Sequence, residues 1–184
     1  MLRKAPKAFI LFGPSGSGKT YIKNYLVKKG IKPLKLHTTR EKRRNEENEE
    51  YYFVRLNEFD KMEKEGKFVL TIKIDPTWKY GLLCEEVKKY KDDNIVIDFI
   101  NKEPALQFYE EIVKTHKPFL CFFEIPLKER IQIFKDRNMS EYDIKKRIER
   151  EDRYEHLDIL TRNKSFLFTD FSTNIEKIER LLAL

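Results

Sequence analysis

The sequence is poor in the residues that build disulfide frameworks, zinc sites and membrane spans. Its 184 residues include only two cysteines and three histidines. Cys84 and Cys121 have no CxxC spacing and no neighbouring histidine pair, so neither a disulfide framework nor a zinc site is indicated. The longest apolar runs have about five residues, whereas a membrane-spanning helix needs about 20. The first residues also lack the apolar core of a signal peptide, and we expect a cytoplasmic protein.

Neither sign of charge dominates the chain. Lys and Arg total 38 against 31 Asp and Glu, a net charge of +7, and the two signs are interleaved along most of the sequence. This pattern does not favour a nucleic-acid-binding surface, and positive potential would equally serve a protein that binds two anionic ligands. Hydrophobic residues make up 40% of the chain, with 14 Phe and 9 Tyr. This content argues against disorder and predicts one compact domain.

One segment carries a complete phosphate-binding pattern. It reads Gly13, Pro14, Ser15, Gly16, Ser17, Gly18, Lys19 and Thr20, which matches G-x-x-x-x-G-K-[ST]. The segment follows an apolar run at 8–12 and precedes an amphipathic stretch, as the motif requires. Glycine lets the backbone aim N–H groups at phosphate oxygens, and the following helix adds its positive N-terminus. Lys19 is predicted to reach the β- and γ-phosphates of ATP or GTP, and Thr20 to bind Mg²⁺.

Apolar strands and helical patterns alternate along the chain. The patterns predict strands at 8–12, 95–100, 119–125 and 165–169, and helices at 19–29, 104–115, 127–136, 140–160 and 173–183. Continuous apolar strands separated by helices indicate an α/β fold with a parallel sheet flanked by helices. The alternation breaks in segment 37–88, which opens with a charge run at 40–50. Such a run is typical of a solvated loop, but its position makes the segment a candidate inserted lobe.

Further residues extend the pattern beyond the phosphate loop. They are His37-Thr38-Thr39-Arg40-x-x-Arg43-x-x-Glu46, Tyr51-x-Phe53-Val54, Tyr80-Gly81, Ile97-Asp98, and the region of Asp136-Arg137 and Lys146-Arg147. In these segments the chain resembles the guanylate kinases, over nearly its whole length. The resemblance implies a P-loop kinase fold with a core (1–36, 89–134 and 147–184), an acceptor-binding lobe (37–88) and a small lid (135–146). It also implies ATP-dependent phosphoryl transfer to a nucleoside monophosphate, with Mg²⁺ as cofactor.

Two arginines and two tyrosines of the lobe suit a phosphate acceptor. Arg40 and Arg43 offer planar guanidinium groups that can hold a phosphate bidentately, and Tyr51 and Tyr80 can donate hydroxyl hydrogen bonds to it. Taken singly, such an arginine is usually solvated and such a tyrosine usually belongs to the core. The ordered set, however, predicts a clamp for a monophosphate.

The remaining candidate residues belong to the transfer step. No convincing His/Asp or Ser/His arrangement is present, and a phosphate monoester acceptor requires no general base because its second pKa is near 6. By resemblance, Arg137 and Arg147 close over the group that Lys19 neutralises. Salt bridges on a helix surface are the alternative for both. Asp98 is expected to order Mg²⁺ waters or to contact the acceptor, with a buried, capped carboxylate as the alternative.

Four positions depart from the family pattern, since Leu36, Leu70, Leu82 and Ile100 replace its polar base-reading residues. They predict an apolar base pocket with poor selectivity for guanine, in which glutamate at position 70 would improve GMP use. The stretch from Phe68 to Tyr80 is one residue longer than the family pattern, so Thr71 or Asp75 is an alternative acceptor for the base. A different nucleotide, a deoxynucleotide or a sugar phosphate as substrate also stays open.

Two other function classes compete with a kinase. A non-catalytic guanylate-kinase-like binding module would have a degraded phosphate loop, whereas the loop here is intact. A P-loop NTPase that acts on nucleic acid or in regulation would leave Arg40, Arg43 and Tyr51 unexplained. The sequence therefore favours a nucleoside-monophosphate kinase, and it leaves the oligomeric state open.

Overall fold

The computed structural model describes residues 5–42, 51–74, 76–151, 165–169 and 171–184. Its strands are β1 (Lys7–Phe12), β2 (Lys32–Pro33), β3 (Leu36–Thr38), β4 (Tyr51–Phe53), β5 (Phe68–Lys73), β6 (Lys79–Leu83), β7 (Ile95–Phe99), β8 (Lys117–Phe123) and β9 (Ser165–Phe168). Its helices are α1 (Lys19–Lys28), α2 (Leu56–Lys64), α3 (Cys84–Lys89), α4 (Lys102–Ile112), α5 (Leu127–Asp136), α6 (Glu141–Glu151) and α7 (Phe171–Ala183). Among the described helices, none is long and apolar enough to cross a membrane.

The central sheet has five parallel strands in the order β2-β7-β1-β8-β9. Strand β1 lies in the middle, and its residues from Ala8 to Phe12 are at most 1% exposed. One face of the sheet packs against α1 and α7, and the other packs against α4. Because both faces are covered, these strands are continuous apolar runs rather than alternating ones.

A second, four-stranded sheet has the order β4-β3-β6-β5, with β3 and β4 parallel and the other pairs antiparallel. A bulge between Phe68 and Leu70 interrupts the pairing of β5 with β6. Helix α2 covers one face, where the Phe59 and Phe68 rings stack at 4.6 Å. Gly81 of β6 has no room for a side chain there, since a Cβ would lie 2.6 Å from the Phe68 ring. The other face of this sheet packs onto the core.

The predicted α/β architecture is confirmed, with small shifts in its elements. The helix expected at 104–115 spans Lys102–Ile112, and the strand expected at 119–125 spans Lys117–Phe123. The helix expected at 140–160 runs from Glu141 to Glu151, and the rest of that prediction lies outside the described residues. Ser140 caps its start, because the Asp143 N–H donates to the Ser140 Oγ at 3.1 Å.

Candidate active site

The phosphate loop joins β1 to α1, as the motif predicts. Gly13 has φ 141°, and a Cβ there would lie 2.4 Å from the Phe123 carbonyl oxygen of β8. Gly16 has φ 78°, and a Cβ there would lie 3.0 Å from the Phe134 ring of α5. Both positions therefore require glycine, because of their backbone conformation and because neighbouring residues lie too close for a side chain.

Lys19 places its ammonium group inside the loop. Its Nζ donates to the carbonyl oxygens of Gly13 and Pro14, both at 2.7 Å, and lies 3.4 Å from the Ser17 Oγ. Lys19 is only 7% exposed, so the loop is ordered around one buried positive charge. Thr20 follows in the first turn of α1 and is exposed. This arrangement suits a polyanion bound over the loop.

Asp98 lies at the end of β7, next to the strand that leads into the loop. Its Oδ1 accepts a hydrogen bond from the Lys23 Nζ at 2.7 Å, and the two side chains are 21% and 19% exposed. Burial acts to raise the pKa of the Asp98 carboxyl, but the charge and hydrogen bond of Lys23, with a smaller share from Lys19, hold that pKa below its ordinary value. The sequence did not point to Lys23, whose only signal is its place one turn after Lys19 on the same helix.

Three of the four predicted clamp residues come together on the second sheet. The Arg40 guanidinium carbon lies 5.5 Å from the centre of the Tyr51 ring and 5.6 Å from that of Phe53. The Tyr51 and Tyr80 rings are 5.7 Å apart. Arg43, the fourth member, lies outside the described residues. The cluster combines a planar cation with two hydroxyl groups, the chemistry that a phosphate monoester needs.

The two predicted lid arginines differ in their surroundings. Arg147 of α6 lies over the Phe134 ring, with its guanidinium carbon 5.8 Å from the ring centre, so it contacts the helix beneath the loop. Arg137 follows α5 and is exposed. A third arginine was missed by the sequence analysis. Arg130 of α5 is buried, and its Nη1 donates to the Ser15 carbonyl of the loop at 3.3 Å.

Three of the four positions of the predicted apolar base pocket belong to the core. Leu36, Leu70 and Leu82 are 7%, 2% and 0% exposed, and they share one core cluster with residues of β1, β7 and α4. They join the second sheet to the central sheet. Ile100 differs from them, since it follows β7 and is 49% exposed. Apolar side chains at these strand positions gain more from packing on α4 than from facing a solvated pocket.

Thr71, one of the two alternative base acceptors, lies on the α2 face of the second sheet. Thr71 pairs with Gly81, whereas Leu70 and Ile72 pair with Leu82 and Tyr80 on the opposite face. The hydrogen bond of Lys73, with a smaller share from that of Thr71, holds the pKa of the Glu63 carboxyl of α2 below its ordinary value. Asp75, the other candidate, lies outside the described residues.

Comparisons with known proteins agree with this geometry. A family model described as guanylate kinase matches residues 5–182. Guanylate kinases from Mesomycoplasma hyopneumoniae strains 7448, J and 232 are each 31% identical to the chain over 147 residues, which covers 70% of this chain and 71% of each relative. The crystal structure of guanylate kinase from Anaplasma phagocytophilum superposes with a TM-score of 0.61 at 18% identity, over 99% of this chain and 87% of that one. By its family match and these relatives, the chain belongs to the guanylate kinase family.

Proposed function

We propose that this chain transfers the γ-phosphoryl group of ATP to GMP, with the phosphate loop as donor site and the Arg40, Tyr51 and Tyr80 cluster as part of the acceptor site. As a guanylate kinase family member the chain is a nucleoside-monophosphate kinase, and GMP is the acceptor that the name of its relatives suggests. The observation that supports the division of roles is the gathering of Arg40, Tyr51 and Tyr80 on a sheet separate from the loop.

The transfer itself requires alignment and charge neutralisation. The acceptor oxygen of a phosphate monoester is largely deprotonated at neutral pH because its second pKa is near 6. A general base is therefore not needed, and catalysis depends on bringing two anions into line. Lys19 neutralises charge on the transferring group, while Arg40 and Arg43 hold the acceptor phosphate from the other side.

We assign the closing movements to segments 37–88 and 135–146, the acceptor lobe and the lid. Enclosure of both substrates would keep water from the transferring phosphoryl group. Arg147 and Arg137 belong to the lid side of this arrangement. Arg147 is the better placed of the two, since it contacts Phe134 beneath the loop.

Mg²⁺ fits the oxygen donors at the loop. The exposed Thr20 hydroxyl would bind the ion, and the ionised Asp98 carboxylate would accept hydrogen bonds from its water ligands. When bound, the ion neutralises charge on the nucleotide phosphates. We also propose a cytoplasmic location, because ATP and nucleoside monophosphates are small soluble substrates.

An acceptor panel tests the proposed function. ADP formation would be measured with Mg²⁺ and ATP in the presence of GMP, AMP, CMP, UMP or no acceptor, with Lys19→Ala as the inactive control. We expect turnover that requires a nucleoside monophosphate and includes GMP. ATP hydrolysis that is independent of every acceptor would contradict the proposal and would favour a regulatory NTPase. GMP binding without any turnover would favour a non-catalytic module.

A further inference from the structure

One buried hydroxyl connects the two sides of the proposed acceptor clamp. Thr38, the last residue of β3, is 0% exposed. Its Oγ1 donates to the Lys79 carbonyl oxygen at 3.0 Å and accepts from the Arg40 backbone N–H at 3.1 Å. The Lys79 carbonyl belongs to the peptide bond that leads into Tyr80. The hydroxyl thus bridges the peptide group before Arg40 and the peptide group before Tyr80.

The strands on either side of this bridge are themselves fixed. The Thr39 N–H donates to the Lys79 carbonyl at 3.1 Å, and the Lys79 N–H donates to the Thr39 Oγ1 at 2.9 Å. The Lys79 Nζ forms an ion pair with Asp60 of α2 at 2.7 Å and lies 3.7 Å from Glu63. Lys79 is only 9% exposed. The Lys79 ion pairs therefore hold β6 to α2, and the hydrogen bonds of Thr38 connect β6 to the Arg40 backbone.

The placement of the Arg40 backbone affects phosphate binding because a bidentate contact has strict geometry. The Arg40 side chain lies against the rings of Tyr51 and Phe53 and donates through Nη1 to the Glu41 carbonyl oxygen at 2.7 Å. The rings limit the position of the Arg40 guanidinium group, and the Thr38 bridge limits the position of the Arg40 backbone. Two constraints of this kind order the cation before the acceptor binds, which lowers the entropic cost of binding.

We propose that Thr38 is a positioning residue of the acceptor site, whose hydroxyl sets the spacing between Arg40 and Tyr80. The inference rests on the proposed function of Arg40 and Tyr80. It assigns to Thr38 no contact with substrate, and its effect is confined to the acceptor side. The donor loop is held by Lys19 and by glycines that do not contact this bridge.

The test compares Thr38→Val, which keeps the shape and removes the hydroxyl, with Thr38→Ser, which keeps the hydroxyl. Equilibrium binding of GMP and of ATP would be measured separately by calorimetry, together with thermal unfolding. We expect Thr38→Val to weaken GMP binding about tenfold, since the part-buried Arg40 N–H loses its Thr38 acceptor and the Lys79 carbonyl keeps only the Thr39 N–H as donor. ATP binding should stay within about twofold, and Thr38→Ser should restore GMP binding to within about threefold of the wild type.

Several outcomes would overturn the inference. They are unchanged GMP binding in folded Thr38→Val, an equal loss for GMP and ATP, or a lower unfolding temperature as its only effect. If Thr38→Val does not fold, Thr38→Ala replaces it with the same expectations. Arg40→Lys separates this inference from the proposed function. If Arg40→Lys leaves GMP binding unchanged, the acceptor assignment itself fails, whereas a loss in Arg40→Lys without one in Thr38→Val refutes only the role of Thr38.

Discussion

The proposed donor and acceptor sides of this kinase are built in different ways. The donor loop is one continuous segment, 13–20, whose shape follows from glycine backbones and from a lysine that folds back onto its own loop. The acceptor cluster takes Arg40, Tyr51 and Tyr80 from three segments of the chain and holds them through the pairing of β3, β4 and β6. The donor loop is thus a local sequence motif, whereas the acceptor cluster exists only once the second sheet has formed.

The difference has a consequence for the energetics of each side. The loop can lose its lysine without losing the packing around it, because Lys19 donates to the carbonyl oxygens of Gly13 and Pro14 within the loop itself. The acceptor cluster depends on the core, because Leu36, Leu70 and Leu82 bury the face of the second sheet against the central sheet and α4. Changes beneath the acceptor side are therefore expected to affect folding, whereas changes in the loop are expected to affect turnover.

The largest effect is expected from Lys19→Ala. In the proposed function Lys19 neutralises charge that develops mostly in the transition state, so kcat/KM for GMP should fall by about 10²–10³-fold. The circular dichroism spectrum and unfolding temperature should stay close to those of the wild type. Steady-state assays with both substrates measure the fall in kcat/KM. Activity within about threefold of wild type in the folded variant would rule out the phosphate-loop mechanism.

Leu70→Glu tests whether the acceptor side depends on the core. Leu70 is 2% exposed in an apolar cluster, so a carboxylate there should lower the free energy of unfolding by at least about 3 kcal/mol. Leu70→Met, which keeps the volume, should cost less than about 1.5 kcal/mol. Urea unfolding at neutral pH measures both. Improved GMP use by a fully stable Leu70→Glu would instead support the base-pocket interpretation.

Arg40→Lys tests the separation of the two sites. A lysine keeps the charge but not the planar fork, so the KM for GMP should rise about tenfold while the KM for ATP changes by less than about twofold. The same split is expected for Arg43→Lys. Initial rates with each substrate varied in turn would measure it. Equal effects on the two KM values would count against an acceptor site on the second sheet.

Lys23→Met removes the ion pair between Lys23 of α1 and Asp98 of β7. The Asp98 carboxylate, whose pKa Lys23 and Lys19 hold low against the effect of burial, stabilises the fold above the pKa of an unfolded aspartate, near 4. That contribution is lost as pH falls through the lower, folded pKa. In Lys23→Met the pKa of Asp98 should rise, so the loss of stability on acidification should shrink by about 1 kcal/mol. Urea midpoints from pH 7 to pH 3, with Lys23→Arg as the charge-keeping control, would test this, and parallel profiles for all three proteins would contradict it.

The same contrast explains which features could be predicted from the sequence and which could not. The loop was predicted residue by residue because neighbours in the chain are neighbours in space, and the parallel sheet followed from its apolar strands. Lys23 pairs with Asp98 across 75 positions, and Arg130 reaches Ser15 across 115, and such pairs leave no local pattern. The faces of β5 were unpredictable for another reason. A single bulge between Phe68 and Leu70 changes which side chains face the core, because a shift of one residue reverses every side chain on a strand.

The smallest effect concerns the choice of base. On the core-facing side of the second sheet, β5 and β6 present the partly buried Ile72 and Tyr80 beside the fully packed Leu70 and Leu82, while Thr71 lies on the α2 side. Apolar contacts distinguish related ligands by only about 1–3 kcal/mol, whereas a site built to hydrogen-bond its substrate rejects the wrong one far more strongly. We therefore expect kcat/KM for GMP to lie within about tenfold of the best other nucleoside monophosphate. Competition between GMP and AMP, CMP or UMP at equal concentration would measure the ratio directly. Selectivity for GMP well above this ratio would mean that a residue outside the described part of the sheet reads the base, and Asp75→Asn would then be the variant to compare with the wild type.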